Sequence, residues 1–144
     1  MSDNDFIGAK LILLIDGKLV SILRDDRSDI PFPDMWDLPG GGPEGSESPE
    51  ACVLRETEEE LSLRIEPDQL IWKKRFESPF EPGRHSWWFG AILPSEARDQ
   101  IKLGDEGQCW RFFTPEDWLN DPRAIAHFKP RVQVGLKAIS RISS

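Results

Sequence analysis

The sequence is short of cysteine, of bases relative to acids and of long apolar runs, and it has no tyrosine at all beside six tryptophans. Two cysteines, Cys52 and Cys109, supply neither a disulfide framework nor a metal-ligand spacing. Both are expected as reduced thiols in a cytoplasmic protein. No apolar stretch approaches the roughly 20 residues of a membrane span. The opening MSDNDFIGAK lacks a basic n-region, so neither a signal peptide nor a membrane partner is expected. Against 26 acids stand 18 bases, a net charge of −8. A nucleic-acid polymer is therefore not expected as the principal ligand, because phosphate backbones are met by basic surfaces. A small anionic substrate, its charge handled locally, remains compatible. No repeat, low-complexity tract or linker interrupts the 144 residues, which suit one domain, 1–144, with a real core.

What the chain does have is concentrated between Leu38 and Leu63. Gly40-Gly41-Gly42, closed by Pro43, forms a glycine-rich turn, and Glu44 and Glu47 follow. Ser48 can cap free N–H groups and Pro49 suits the first position of a helix that nothing interrupts from Ala51 to Leu61. On a 3.6-residue period Glu56, Glu59 and Glu60 share one face, with Cys52 at its edge. Ala51, Leu54 and Leu61 mark the flank expected to meet the core. Such like-charge clustering costs an isolated helix roughly 0.2–0.5 kcal/mol per pair. Arg55 is the one base in the helix against Glu50, Glu56, Glu58, Glu59 and Glu60. A hard divalent cation, which prefers carboxylate oxygens, would remove the penalty. A plain solvated acidic face is the commoner fate of a glutamate run, but the glycine turn with Glu47 and Arg55 at fixed spacing favours a site.

Gly41, Glu47 and Arg55-Glu56-Thr57-Glu58-Glu59-Glu60-Leu61-Ser62-Leu63 together resemble the signature of the Nudix hydrolases, G-x5-E-x7-R-E-U-x-E-E-x-G-U with U a bulky aliphatic. Every charged position is met. Thr57 replaces an aliphatic and needs a partner for its hydroxyl, such as a carbonyl one turn back. Ser62 replaces the helix-ending glycine and must take its backbone conformation, at about 1–2 kcal/mol if left-handed. The resemblance implies an α/β/α sandwich with a mixed twisted sheet, and Mg²⁺ (or Mn²⁺) held by Glu56, Glu59, Glu60 and a carbonyl of Gly40 or Gly41. It implies cleavage of a pyrophosphate linkage in a nucleoside diphosphate joined to another group. Arg55 would orient the carboxylates, and Glu47 would support Arg55 or the helix start. The water's proton goes either to a box glutamate or to an acid on another loop. Glu106, in the Gly104-Asp105-Glu106-Gly107-Gln108 loop, stands where such an acid often lies, as base or metal ligand.

Taken in order, Ile7 to Ile15 reads as a buried strand, Asp16-Gly17 as a hairpin turn and Lys18 to Arg24 as the partner strand. The polar loop from Arg24 to Asp29 is either a solvated turn or a place where Arg24 or Arg27 meets substrate phosphates. Pro31-Phe32-Pro33-Asp34 reads as stiff and extended, leading to a short strand at Trp36-Asp37-Leu38, with Trp36 expected in the core. Ile71 to Glu77 and His85 to Leu93 read as a second strand pair. The basic Lys73-Lys74-Arg75 reads as a solvated strand face or else a phosphate-side contact, His85 as exposed, and Trp87 and Trp88 on opposite faces. Cys109 to Phe113 reads as a strand, Thr114-Pro115 opens a short helix, and Arg131 to Ile142 forms a closing helix weakened by Gly135. The last two serines are expected to fray.

Substrate choice lies outside the signature. The family resemblance includes enzymes acting on damaged nucleoside triphosphates, ADP-ribose, dinucleoside polyphosphates and sugar nucleotides. Readers of the oxidised purine typically place an Asn before the last helix, but here Ala126-His127-Phe128-Lys129-Pro130 has none. Phe128 either stacks on a base, with His127 at its edge, or packs as a helix-start pair. A nucleoside triphosphate or modified (d)NTP is expected first, ADP-ribose or a dinucleoside polyphosphate second, on a monomer or homodimer. A non-catalytic nucleotide sensor would show a degraded signature, and a prenyl diphosphate isomerase would want a cysteine–acid pair that Cys52 and Cys109 do not obviously make.

Overall fold

The structure, a computed structural model, describes residues 5–143, so Met1 to Asn4 and Ser144 of the segments considered above lie outside the described residues. Its centre is a pair of parallel strands, β1 (Gly8–Ile15) and β6 (His85–Leu93), in register from Gly8↔Ser86 to Ile15↔Leu93. β1 turns through Asp16 and Gly17, both at positive φ (54° and 74°), into antiparallel β2 (Lys18–Leu23). That is the backbone a tight two-residue hairpin requires. β2 pairs with β3 (Trp36–Asp37) and with β7 (Cys109–Phe113), β4 (Gly40–Gly41) pairs with β1, and β5 (Leu70–Glu77) closes the far side against β6.

Alternation along β1 decides the layers. Ala9, Leu11, Leu13 and Ile15 join Phe89, Ala91 and Leu93 of β6 beneath helix α1 (Pro49–Leu61), which contributes Cys52, Val53 and Leu61. On the other face Ile12 and Trp88 meet Trp118 of α2 (Pro115–Asn120) and Val132 and Ile139 of α3 (Lys129–Ser143). Trp87 and Trp88 thus serve opposite cores, as period two requires. The result is the mixed sheet between helical layers that the sequence led us to expect. No helix among the described residues is long and apolar enough to cross a membrane.

Four expectations need correction. Ala51 is exposed, and α1 buries Pro49, Cys52, Val53, Thr57 and Leu61 instead. Thr57 can face the core because its hydroxyl donates to Val53 O at 2.7 Å. Residues 31–34 are turned rather than extended: Phe32 and Asp34 have φ of 51° and 58°. His85 is buried, on the side of the sheet shared with Trp87, because its strand opens alongside Ile7, whose N–H donates to His85 O. Gly135, which reads as a weakness in α3, lets that helix pack tightly against side chains of the sheet. A Cβ there would sit 2.3 Å from Ile12 Cδ1 and 2.9 Å from the Trp72 ring.

Candidate active site

Local signals place α1. Ser48 is extended and its Oγ accepts from the Ala51 N–H, while Ser62 takes the left-handed conformation (φ 61°, ψ 25°) and donates its N–H to Glu58 O. Ser62 Oγ also donates to Lys102 O at 2.9 Å, a contact a glycine could not make. The N–H groups of Lys102 and Gly104 donate to Leu61 O and Glu60 O. The end of α1 therefore holds the start of the loop that carries Asp105 and Glu106.

The glycine turn reaches α1 through β4, which lies against Ala9 and Lys10 of β1. Gly40 N–H donates to Glu60 Oε1 at 3.0 Å, and the Cys52 thiol donates to Gly41 O at 3.4 Å. At Gly41 the Glu56 carboxylate occupies the place of a side chain, since a Cβ would lie 1.8 Å from its Oε2. Any other residue there would push the Glu56 carboxylate out of its place. Arg55 binds Glu47 through Nε (2.7 Å) and Nη2 (3.1 Å), and Glu56 and Glu59 through Nη1 (2.7 and 3.0 Å). It also reaches Glu44 and donates to Gly42 O. The Arg55 bond holds the Glu47 carboxyl below its usual range. Burial raises the Glu56 carboxyl, with Arg55 opposing. Burial pushes Glu60 up to about 8 against the opposing pull of Lys10 and the Gly40 N–H.

Glu56, Glu59, Glu60, Asp105 and Glu106 line one cavity of about 360 Å³. A smaller neighbour, about 130 Å³, is bordered by Glu60 and Glu106 together with Arg24, Arg27 and Asp37. The fold thus gathers Gly41, Arg55, Glu56, Glu59, Glu60, Glu106, Arg24 and Arg27 into one region. Arg24 spends its Nη1 on Asp37 at 3.0 Å, and Arg27 pairs with the exposed Asp29. Phe128 is not brought there as a stacking surface. It is 8 % exposed, with its ring edge-on to Trp88, and the aromatic group beside it comprises the exposed Phe80 and the half-buried His127 and Phe32. The basic trio on β5 is exposed, with Lys73 paired to Glu50 and Arg75 to Glu77.

Sequence reasoning missed Lys10 and Asp37. Asp37 accepts from Lys10 Nζ (3.0 and 3.2 Å), Arg24 Nη1 and the Leu38 N–H, and Lys10 also donates to Leu38 O and Gly40 O. A lone base inside the apolar strand from Ile7 to Ile15 and a lone acid between Trp36 and Leu38 were the available signals.

Among the described residues no three acids, cysteines or histidines stand close enough to form a ready-made metal cage. Arg55 draws Glu56 and Glu59 to itself and Glu60 turns to Gly40. The donor chemistry nevertheless fits a hard divalent cation: carboxylates from one rigid helix, with the space at Gly41 left to Glu56.

The profile described as NUDIX domain matches residues 7–132, most of the chain. The chain belongs to the Nudix family. A MutT-like protein from Streptomyces ambofaciens is 40 % identical over 62 residues, which cover 43 % of this chain but only 36 % of that protein. Among solved structures, a mutT/nudix family protein from Listeria innocua aligns over 95 % of each chain with a TM-score of 0.74 and 28 % identity. A bifunctional NMN adenylyltransferase/ADP ribose pyrophosphatase from Francisella tularensis, complexed with AMP and Mn, is similar in fold alone. Its TM-score is 0.70 at 18 % identity, over 93 % of this chain and 42 % of that one. The Nudix signature that fills the Gly41–Leu63 segment is therefore set in a whole Nudix fold.

Proposed function

We propose that this Nudix domain is a divalent-metal-dependent pyrophosphohydrolase acting on a nucleoside diphosphate joined to another group, with a nucleoside triphosphate or modified (d)NTP first among substrates. The observation that carries the reading is the meeting of Glu56, Glu59, Glu60 and Glu106 in one cavity, with Gly41 leaving room for the Glu56 carboxylate. Glu56, Glu59, Glu60 and the Gly41 carbonyl would hold Mg²⁺, with Mn²⁺ as a substitute. When bound, such a cation neutralises the diphosphate and acidifies the attacking water. Arg55 keeps Glu56 and Glu59 side by side. Arg24 and Arg27 border the adjoining cavity, where phosphate oxygens outside the carboxylate cluster would lie.

In the reaction, water oxygen bonds to phosphorus, the bridging P–O bond breaks, and the water's proton passes to a carboxylate. Glu106 suits that task because it faces the box glutamates and carries none of the Arg55 bonds. Phe32, Phe80 and His127 offer the base a surface that Phe128 does not. The protein would work in a reducing cytoplasm, in keeping with its two free thiols.

The second reading, ADP-ribose or a dinucleoside polyphosphate, has support from the fold it shares with the Francisella ADP ribose pyrophosphatase. Phosphorus NMR of a panel with Mg²⁺ decides between them. The panel holds normal and oxidised nucleoside triphosphates, ADP-ribose and a dinucleoside polyphosphate. Monophosphate plus pyrophosphate from a triphosphate is the expected outcome. Turnover of ADP-ribose or the dinucleotide alone would move the substrate, and no turnover with any member would overturn the hydrolase reading.

A further inference from the structure

The two loops that border the small cavity meet at a single carboxylate. Asp34 Oδ1 accepts from Gln108 Nε2 at 2.8 Å and from Arg123 Nη2 at 2.7 Å, and Asp34 O accepts from Arg123 Nε and Nη2. The second hydrogen of the Gln108 amide goes to Arg24 O at 2.8 Å. The backbone repeats the tie: Asp34 N–H donates to Asp25 O, Arg24 N–H to Met35 O, and Gln108 N–H to Leu23 O. Gln108 therefore joins Arg24 and Asp34 on one loop to the segment carrying Glu106 on the other, across 84 and 74 residues of sequence.

Asp34 holds this position with φ 58°, a left-handed backbone that Asn, Asp and Gly accept. The pair with Arg123 is half-open to solvent, 41 % and 50 % exposed, so its own electrostatic contribution to stability is small. What the contacts do is fix geometry. Arg24 is held at its N–H, its carbonyl, its Nε (to Pro31 O) and its Nη1 (to Asp37). Nothing in the Nudix signature contains Asp34, Gln108 or Arg123.

We propose that Asp34 and Gln108 form a clamp that sets the spacing between Arg24 and Glu106 across the candidate active site, both acting as positioning residues. Its kinetic consequence rests on the hydrolase reading; its structural consequence does not. Asp34→Gly keeps the left-handed backbone and removes the acceptor, whereas Asp34→Asn keeps both. Hydrogen exchange followed by mass spectrometry reads the Gly104 and Gln108 amides. In Asp34→Gly they should exchange about tenfold faster, the equivalent of one lost hydrogen bond. The Leu11 amide of the central strand, bonded to Pro39 O, should not change, which separates loosening of the loop from global destabilisation.

Asp34→Asn should behave as wild type. Gln108→Ala should reproduce Asp34→Gly, and the double variant should be no worse than either. On the substrate turned over in the phosphorus NMR panel, Asp34→Gly should lower kcat/KM by about tenfold, through KM and kcat together, with Asp34→Asn restoring it. Wild-type exchange at Gly104 and Gln108 in both Asp34→Gly and Gln108→Ala would overturn the clamp, as would Asp34→Asn failing alongside Asp34→Gly. A wild-type protein inert on every panel member would sink the hydrolase reading while the exchange rates still decide the clamp.

Discussion

Two like-charge clusters stand on regular elements of this protein, and they have opposite fates. On β5, Lys73 pairs with Glu50 and lies over the Trp87 ring, Lys74 lies over Phe76, and Arg75 pairs with Glu77. Lys73 and Arg75 each have their own carboxylate and Lys74 an aromatic ring, so no base shares a partner and the strand face is finished. On α1, a single guanidinium is divided among Glu44, Glu47, Glu56 and Glu59, while Glu60 has only a backbone N–H within hydrogen-bond reach. Negative charge there exceeds what the protein supplies to balance it. The difference teaches that a run of one sign points to a ligand when the fold withholds the counter-charges, not when the run is merely long.

The largest effect expected from that contrast is on turnover. Glu59→Gln should lower kcat by about 10³-fold, while Lys74→Gln leaves it unchanged, measured as initial rates by phosphorus NMR. A Glu59→Gln enzyme at near wild-type rate would show that the helix face is as finished as the strand face. Next comes stability without metal. Arg55→Ala strands several carboxylates and should cost about 2–3 kcal/mol in chelator, partly restored by Mg²⁺. Arg75→Ala should cost under about 0.5 kcal/mol. Denaturant titrations of both variants make the comparison, and equal costs would dissolve it.

The third effect is a pH dependence peculiar to the helix side. The folded chain holds the Glu60 proton up to about 8, against an ordinary value of 4.5. The stability from this group is therefore fully present below about 4.5 and is lost as pH rises through about 8. With metal chelated, unfolding free energy should fall by on the order of 5 kcal/mol across that window, and Glu60→Gln should flatten the slope. A wild-type protein whose stability rises over the same range would refute the assignment to Glu60.

Local features were legible because their causes are local. Ser48-Pro49 announces a helix start and Asp16-Gly17 a hairpin by the backbone each residue favours, and period two in His85 to Leu93 placed Trp87 and Trp88 on opposite faces. The signature acids Glu47, Glu56, Glu59 and Glu60 were legible for the same reason, all lying in one short stretch of chain, whereas Glu106 lies outside it. What escaped was set by contacts distant in sequence. Which flank of α1 meets the sheet decided that Thr57, not Ala51, is buried. Asp34 turns left-handed because Arg123 and Gln108 hold it, and neither is predictable from the proline-rich segment around it. Phe128 is buried edge-on against Trp88, a residue forty positions earlier. Lys10 and Asp37 carried a signal, each a lone charge among apolar neighbours, but only the fold shows that they answer one another.

Cys52 lies wholly buried beneath the glycine turn, and burial pushes its thiol up to about 12, so it carries almost no thiolate at neutral pH. Cys109, the other free cysteine, is exposed and follows Gln108 directly. Alkylating reagents applied to the native protein will therefore add one adduct, at Cys109. Unmodified, the wild-type chain already carries a single attachment point for a fluorophore or spin label, where the loop bearing Glu106 enters β7.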